Sequence, residues 1–189
     1  MEASDPALVD RVLRGERDAF RYLVERHSLS VFQLAYRITG NEEDAEDVVQ
    51  ETFLRAFRNL KRYEARSLFS TWLYRIAANY SLDLMRSRKR FVAKEPPLEG
   101  GANWLNEIAS SNPSAERMAI SGQIRDRIGT AMQQLTAQER TAFVLRHFHE
   151  LSIEEIGKSL GLGENATKHS IFRAVRKLRR ALEPLVANV

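Results

Sequence analysis

The sequence predicts an all-α protein built from two small helical domains and a linker. Apolar residues recur at the i, i+3, i+4, i+7 spacing of amphipathic helices through most of the chain. No run alternates apolar and polar residues long enough to predict a strand. Residues 92–112 interrupt the helical pattern with a Pro-Pro and a Gly-Gly pair. We therefore expect domains over residues 1–91 and 113–189, joined by a flexible linker over 92–112.

The first predicted domain contains several helices in succession. Asp5-Pro6 resembles a helix N-cap followed by proline in the first turn. Two separate helices are expected after it, one around Phe20–Val24 and one over Val31–Ile38, before Gly40-Asn41 breaks the chain. The most regular apolar stripe runs from Ala45 to Leu60 and places acidic residues on the opposite face. A further helix is predicted from about Ser70 to Arg88.

The second predicted domain begins at Asn112-Pro113, and a helix is expected from about Ser114 to Gln134. Two capping-box sequences follow, Thr136-x-x-Glu139 and Ser152-x-x-Glu155, each of which predicts the start of a helix. The chain thus contains helical signals almost to its end.

Composition excludes several classes of protein. The 189 residues include no cysteine, which rules out a disulfide scaffold, a Cys-ligated zinc site and a cysteine nucleophile. There is no apolar run long enough to span a membrane, and the first residues lack the order of a signal peptide. The composition predicts a soluble intracellular protein without membrane insertion.

The formal net charge of +4 is unevenly distributed. Residues 164–189 hold six basic and two acidic side chains, and residues 86–94 hold five basic side chains and no acidic one. The acidic residues concentrate between Glu42 and Glu51. Two basic segments and one acidic segment favour binding of a polyanion together with a separate protein partner. Solvated helix faces are the simpler interpretation of the same charges.

Residues Ile153–Leu182 show the pattern of a helix-turn-helix. A short apolar stripe ends at Gly161, where a turn requires positive φ, and a second helix begins near Glu164. The first turns of that second helix carry side chains suited to base edges and phosphates, which favours DNA binding. An ordinary helical hairpin with a basic outer face is the alternative. The candidate DNA-binding residues are Asn165, Thr167, Lys168, His169, Ser170, Arg173, Arg176 and Lys177.

Aromatic and basic residues are interleaved in the predicted helix after Ser70. Aromatic rings stack on unpaired bases and arginines bind phosphates, so this mixture favours contact with single-stranded nucleic acid. For individual aromatic residues, packing in the core is the competing explanation, above all for Tyr80 on the apolar stripe.

Three motifs together resemble a known family. Glu46–Phe53 (EDVVQETF) is similar to the polymerase-binding signature of sigma factors, and Phe69–Asn79 (FSTWLYRIAAN) to their promoter-melting helix. Leu151–Gly157 (LSIEEIG), with Thr167-Lys168 and Phe172–Ala174, resembles their promoter-binding helix-turn-helix. The order of the motifs and the short linker resemble an extracytoplasmic-function sigma factor of bacterial RNA polymerase.

The resemblance implies a role for each predicted domain. The acidic helix would bind the clamp helices of the largest polymerase subunit through Asp44, Asp47, Gln50, Glu51 and Arg55. The loop Leu60–Ser70 and the helix after it would capture a base flipped out of the −10 element and contact the melted non-template strand. The implied −10 residues are Tyr63, Arg66, Ser67, Phe69, Trp72, Arg75, Asn79, Arg86 and Arg88.

The resemblance also implies that the second domain reads the −35 element and binds the flap of the second-largest subunit. Asn165 and Ser170 stand where many members of the family have glycine and arginine, so the −35 sequence preference does not transfer. An anti-sigma factor is an expected partner, and no cofactor, metal or enzymatic activity is implied. The implied location is the cytoplasm, at the nucleoid when the protein is bound to polymerase.

Two other classes remain as alternatives. A transcriptional regulator with only a C-terminal helix-turn-helix would leave the acidic and aromatic helices as packing elements. An enzyme with a metal site at His147, His149 and Glu150 is disfavoured, because residues two apart do not share a helix face. Association with core polymerase would distinguish the sigma factor from the regulator.

Overall fold

The computed structural model describes residues 3–65, 67–92 and 127–186, with side chains described to Arg88 and Glu183 in the last two segments. The described residues form helices and turns, without a strand among them. The helices before the predicted linker, here the N-terminal domain, are α1 (Asp5–Leu13), α2 (Ala19–Thr39), α3 (Glu42–Arg58) and α4 (Phe69–Val92), with a 3-10 turn over Leu60–Arg62. Those after it, here the C-terminal domain, are a helical stretch over 127–133, then α5 (Ala137–His147), α6 (Ile153–Leu160) and α7 (Glu164–Val186).

The all-helical fold class predicted from the sequence is confirmed, but the prediction of separate helices around Phe20 and Val31 is wrong. One continuous helix, α2, covers both segments, since no glycine or proline interrupts residues 25–30. His27 in this stretch is buried and its Nε2 lies 2.9 Å from an Asp5 carboxylate oxygen. Gly40, at φ 80°, ends the helix in the left-handed conformation that glycine adopts without strain.

The start of α1 also differs from the prediction. Ser4, rather than Asp5, is the N-cap residue, and Pro6 lies in the first turn. Asp5 instead pairs with Arg26 and His27 of α2. Its carboxylate therefore fixes α1 against α2 across the N-terminal domain.

Helices α2, α3 and α4 pack against one another and form the core of the N-terminal domain. The apolar stripe predicted for α3 is buried at Val48, Phe53 and Ala56, and α4 contributes Leu73 and Ala77. The opposite sides of α3 and α4 face solvent and carry most of the polar residues of these helices. Helix α4 continues to Val92, beyond the predicted end near Arg88.

The C-terminal domain begins its helices as the sequence predicts. Both predicted capping boxes are present, with Thr136 and Ser152 each accepting a hydrogen bond from the backbone N–H of the glutamate three residues later. Gly161 ends α6 at φ 64°, which confirms the predicted turn. The linker was predicted over 92–112; its first residue, Val92, ends α4, and residues 93–112 lie outside the described residues, as does the first part of the helix predicted over 114–134.

Gly157 of α6 lies close to the turn that follows it and to the first residues of α7. A Cβ added there would lie 2.8 Å from the carbonyl oxygen of Leu162 and 3.2 Å from Oγ1 of Thr167. The backbone carbonyl has little room to move. Glycine at this position therefore sets how closely the two helices of the helix-turn-helix pack.

We expect Gly157→Ala to lower the free energy of unfolding by about 1–3 kcal/mol, the usual cost of forced overpacking. This loss would occur although alanine favours a helix by about 1 kcal/mol over glycine. Urea unfolding measures the difference. Gly163→Ala is the matched control, because an added Cβ there meets no atom within 4 Å. Equal stability of the two variants would contradict the steric argument.

The two domains are in contact. The Arg140 side chain of α5 is buried, and its Nη1 donates a hydrogen bond to the Ile38 carbonyl oxygen in the last turn of α2 at 3.0 Å. Helices α5 and α6 also approach α4. No helix in the described ranges is both long and apolar enough to cross a membrane.

Candidate nucleic-acid interface

Helix α7 presents most of its predicted DNA-binding residues to solvent. Together with one aromatic residue, Phe172, they form a single outer side of the helix, opposite Ala174 and Leu178 in the core. Because the side chains are exposed at the start of a second helix in a helix-turn-helix, they are placed as major-groove contacts require. We call this surface the recognition face: Asn165, Lys168, His169, Phe172, Arg173 and Arg176.

Thr167 and Ser170 do not belong to this face, in contrast to the prediction. Both are buried between helices. Thr167 Oγ1 donates to the Gly163 carbonyl at 3.0 Å, and Ser170 Oγ donates to the Ala166 carbonyl and accepts from Gln138 Nε2. Their hydroxyls are used inside the domain, where they join α7 to its own first turn and to α5.

Lys177 is likewise engaged within the domain. Its Nζ lies 2.6 Å from Oε2 of Glu139, a carboxylate that is nearly fully buried. Burial alone would raise the pKa of Glu139, but hydrogen bonds from Lys177 and Thr136 outweigh it and hold that pKa below its usual value. Because Lys177 compensates a buried charge, it stabilises the α5–α7 contact and is not a free phosphate ligand.

Phe172 belongs to the recognition face, although the sequence did not predict it as a DNA contact. It is 64% exposed, an unusual position for a phenylalanine, and lies one turn beyond Lys168 and His169. Apolar side chains contact the thymine methyl group in the major groove. The available sequence signal was an apolar residue at the i+4 position from a basic one on the outer face of the helix.

A cluster of three aromatic rings lies at the start of α4. The Tyr63 and Trp72 ring centroids are 5.4 Å apart, and Phe69 lies 5.4 Å from Tyr63 and 5.6 Å from Trp72. Tyr63 donates a hydrogen bond to the Ser67 carbonyl at 2.8 Å, which fixes the loop. Tyr63 and Trp72 are half-buried, whereas Phe69 is 2% exposed. Phe69 therefore packs in the core against the other two rings, whereas the sequence predicted that it contacts DNA.

Of the polar residues predicted for the −10 element, Arg75, Asn79, Arg86 and Arg88 lie along α4, and Ser67 lies in the loop before it. Arg75 is half-buried and Asn79 is exposed, in line with the aromatic cluster. We call this combined area the strand-capture surface: Tyr63, Ser67, Trp72, Arg75 and Asn79. Further along α4, Arg86 lies 3.8 Å from Asp83, and Arg88 forms an ion pair with Asp44. Arg66 lies outside the described residues.

The predicted polymerase-binding residues of the acidic helix α3 fall into two groups, those exposed to solvent and those paired within the domain. Asp47 and Gln50 are exposed, while Glu51 and Arg55 are half-buried and pair with each other at 2.6 Å. Asp44 is buried and bound to Arg88, in contrast to its predicted place at an outer surface. Burial raises the pKa of Asp44, and the Arg88 guanidinium offsets only part of that effect.

Two apolar residues on the outer side of α3 were not predicted as contacts. Leu54 is 44% and Phe57 is 38% exposed, although Phe57 falls at the spacing of the apolar stripe predicted over Ala45–Leu60. Leu54 follows Asp47 and Gln50 at helical spacing. The exposed side of α3 is thus an acidic and apolar strip suited to another protein surface.

His149 lies at the contact between the domains, although the sequence suggested a surface histidine. Its ring centroid is 4.4 Å from that of Tyr74 in α4, and its Nε2 is buried with no hydrogen-bond partner. Burial, followed by the charge of Arg37, lowers the pKa of His149 from 6.5 to about 4. Within the described ranges, no three His, Cys, Asp or Glu side chains form a group that could hold a metal ion.

We expect the contact around His149 to weaken as the pH falls from about 6.5 to about 4. The folded-state pKa lies below the unfolded value, so the unfolded chain binds the proton more readily in this window and folding stability is lost there. The full shift corresponds to roughly 3 kcal/mol. Urea unfolding at pH 7, 6, 5 and 4 measures it, with His149→Phe as the control that lacks this component. Parallel pH profiles of the two proteins would contradict the assignment.

Comparison with known proteins agrees with this geometry. The Sigma-70 region 2 family model matches residues 23–91, and the Sigma-70 region 4 model matches residues 125–178. The chain is 33% identical over 187 residues to the ECF RNA polymerase sigma factor SigW of Bacillus subtilis, covering 98% of this chain and all of that protein. It is 33% identical over 193 residues to the ECF RNA polymerase sigma-E factor of Escherichia coli, with 98% and 97% coverage.

Solved structures show the same fold. The structure of CnrH in complex with the cytosolic domain of CnrY matches with a TM-score of 0.65 and 27% identity, covering 96% of this chain and 99% of that one. The sigma factor RpoE of Bartonella quintana, solved with the anti-sigma factor NepR, matches with a TM-score of 0.64 at 20% identity, with 87% and 96% coverage.

The fold and its outward basic helix define a DNA-binding protein of the sigma factor class. The chain belongs to the extracytoplasmic-function sigma factors, which are transcription initiation factors and not enzymes. The resemblance seen in the three sequence motifs is thereby confirmed.

Proposed function

We propose that three separate surfaces of this sigma factor bind the two promoter elements and core polymerase. The recognition face of α7 reads the −35 element in the major groove. The strand-capture surface holds the melted non-template strand of the −10 element, and the outer side of α3 binds the clamp helices of the largest polymerase subunit. The observation that carries the proposal is the exposed recognition face on the second helix of a helix-turn-helix.

The strand-capture surface has the chemistry needed for an unpaired strand. Removing a base from the stack costs a few kcal/mol. Stacking on an aromatic ring returns about 1–3 kcal/mol per base, and Trp72 and Tyr63 offer half-exposed rings beside Arg75. Arg86 and Arg88 extend the basic surface along α4 toward further phosphates.

The reach of the predicted linker is long enough for the two surfaces to engage a pair of promoter elements. The predicted linker over 92–112 spans at most about 70 Å at roughly 3.4 Å per residue. That distance matches about two turns of DNA. Two weak binding sites on one chain gain affinity because the second contact becomes intramolecular. We place the domain boundaries at 1–91 and 113–189 on this basis.

Other partners follow from the same proposal. The C-terminal domain contacts the flap of the second-largest subunit, and the protein acts in the cytoplasm, at the nucleoid when bound to polymerase. An anti-sigma factor is a further partner, which the Bartonella quintana RpoE complex supports by its fold. Affinity capture from the native host, followed by inhibition assays, tests that partner. Capture of polymerase without any inhibitory protein would count against it.

Reconstitution tests the central proposal. The chain is combined with core polymerase and a promoter library, and transcripts are sequenced. We expect transcripts that begin downstream of one pair of sequence elements. Asp47→Arg is expected to abolish co-migration with core polymerase, while Glu25→Arg, an exposed acidic residue on α2, leaves it unchanged. Absence of promoter-dependent transcripts with the unmodified chain would refute the proposal.

A further inference from the structure

Asp5, the first residue of α1, is bound by two side chains of α2. One of its carboxylate oxygens lies 2.9 Å from His27 Nε2, and the other is paired with Arg26. Because an ionised carboxylate can only accept hydrogen bonds, Nε2 of His27 carries the proton of this bond. The Asp5 side chain is 21% exposed and the His27 side chain 11%, so the bond lies in a largely water-free place where it is strong.

The His27 ring also packs on the aromatic cluster at the start of α4. Its centroid lies 5.6 Å from that of Phe69, with the ring planes 56° apart. Phe69 packs in turn on Tyr63 and Trp72, the two half-buried rings of the strand-capture surface. A continuous chain of contacts therefore leads from the Asp5 carboxylate through His27 and Phe69 to these rings.

Helix α1 approaches Tyr63 by a second route. The helix contacts the 3-10 turn Leu60–Arg62, which directly precedes Tyr63. Burial, followed by the charge of Asp5, raises the pKa of Tyr63. Both side chains line one cavity of about 930 Å³, together with Phe69. Helix α1 is thus adjacent both to the turn that carries Tyr63 and, through His27, to the ring behind it.

The orientation of the rings depends on this support. A buried polar group that loses its hydrogen-bond partner keeps its full desolvation cost, so His27 without the Asp5 carboxylate would shift toward water. Protein interiors are close-packed, and a shift of His27 therefore displaces Phe69 as well. Aromatic stacking is sensitive to the offset and tilt of the rings. Displacement of Phe69 would therefore weaken stacking at Tyr63 and Trp72.

We propose that Asp5 is a positioning residue for capture of the melted −10 strand. Its carboxylate fixes the His27 ring, and that ring and Phe69 keep the strand-capture surface in the orientation that stacks on an unpaired base. Asp5 acts through these side chains and does not itself contact DNA. The inference rests on the proposed function, because it assigns a support to the surface that holds the strand.

The affinity of the holoenzyme for single-stranded DNA tests this role. The probe is the fluorescent non-template −10 strand of a promoter that the unmodified protein selects with core polymerase. We expect Asp5→Ala to weaken binding about fivefold, the lower end of what stacking of one base contributes. Asp5→Asn keeps an oxygen acceptor for His27 Nε2 and is expected to bind within about twofold of the unmodified protein. Asp10→Ala removes an exposed carboxylate of the same helix and is the matched control, with unchanged affinity.

A double variant separates positioning from a general loss of folded protein. Loss of folded protein lowers binding by the same factor in any background. Coupled residues are not additive, so Asp5→Ala combined with Trp72→Ala is expected to bind less than about twofold more weakly than Trp72→Ala alone. An equal loss from Asp5→Ala in both backgrounds would overturn the proposal.

Fluorescence tests the ring geometry without DNA. Trp104→Phe leaves Trp72 as the single tryptophan of the chain. In this background we expect Asp5→Ala to increase the quenching of Trp72 by acrylamide, whereas Asp5→Asn and Asp10→Ala leave it unchanged. Circular dichroism at the same temperature verifies that each variant is fully folded. Equal quenching in all these folded proteins would contradict the positioning role.

The outcomes distinguish this inference from the proposed function. If the unmodified holoenzyme binds its −10 strand and Asp5→Ala binds that strand equally well, the positioning role is wrong and the function stands. If the unmodified chain with core polymerase yields no promoter-dependent transcript, the proposed function fails, and the positioning role fails with it.

Discussion

Replacing Lys168 and Arg173 together with alanine is expected to lower promoter-dependent transcription by about a hundredfold or more. Both side chains are exposed on the recognition face, and the partner of Lys168, Glu164 one turn earlier, is itself exposed to solvent. Each well-placed contact to a base contributes about 1–3 kcal/mol, and 1.4 kcal/mol is about tenfold in binding. The measurement is transcription from a promoter selected by the unmodified protein.

The matched control removes the same two charges elsewhere. Arg14→Ala with Arg21→Ala eliminates two exposed arginines whose surface ion pairs contribute little. We expect this control to keep transcription within about twofold of the unmodified protein, since exposed surface pairs of this kind are worth 0–1 kcal/mol. Both double variants should retain binding to core polymerase. Equal losses in the two double variants would show that net charge, and not the recognition face, determines promoter choice.

Trp72→Ala is expected to weaken binding of the single-stranded −10 sequence by about 5- to 150-fold, the range that corresponds to 1–3 kcal/mol of stacking. The half-exposed Trp72 ring lies against Tyr63 and is supported by buried Phe69. Trp72→Phe retains a ring and should recover most of the affinity. Fluorescence anisotropy of the labelled non-template strand measures both variants.

Destabilisation of the fold is the alternative cause of an affinity loss in Trp72→Ala, and the same variants distinguish the two causes. Loss of a half-buried ring also lowers stability, so thermal unfolding is measured beside DNA affinity. Stacking predicts that duplex −35 binding is retained while opening of the −10 region is lost. If Trp72→Ala opens promoters as well as the unmodified protein does, the aromatic cluster is only packing.

The fold class and many element boundaries could be predicted because they depend on local chemistry. The capping boxes at Thr136 and Ser152 and the left-handed turn at Gly161 are set by a few neighbouring residues. The continuity of α2 was missed because its middle residues are polar in sequence. His27 is buried there through its bond to distant Asp5, which a periodicity argument does not contain.

The candidate sites could be predicted as segments but not side chain by side chain. Thr167, Ser170, Lys177 and Asp44 have the chemistry of binding residues, yet the structure uses them to satisfy neighbouring helices. Residue type alone does not distinguish these cases, because the same polar residue type occurs both buried with a partner inside the protein and exposed at a binding surface. The contact between Arg140 and Ile38 joins residues 102 positions apart, and no local pattern predicts it.

The ion pair between Arg88 and Asp44 has a consequence for how the two ends of the N-terminal domain communicate. Asp44 is 4% exposed and Arg88 is 49% exposed, so the guanidinium is accessible while its partner is enclosed. On the proposed function, a promoter phosphate that binds Arg88 competes with the Asp44 carboxylate at the start of α3. Binding of DNA at α4 and binding of polymerase at α3 are then thermodynamically coupled. Each changes the affinity for the other by the same factor.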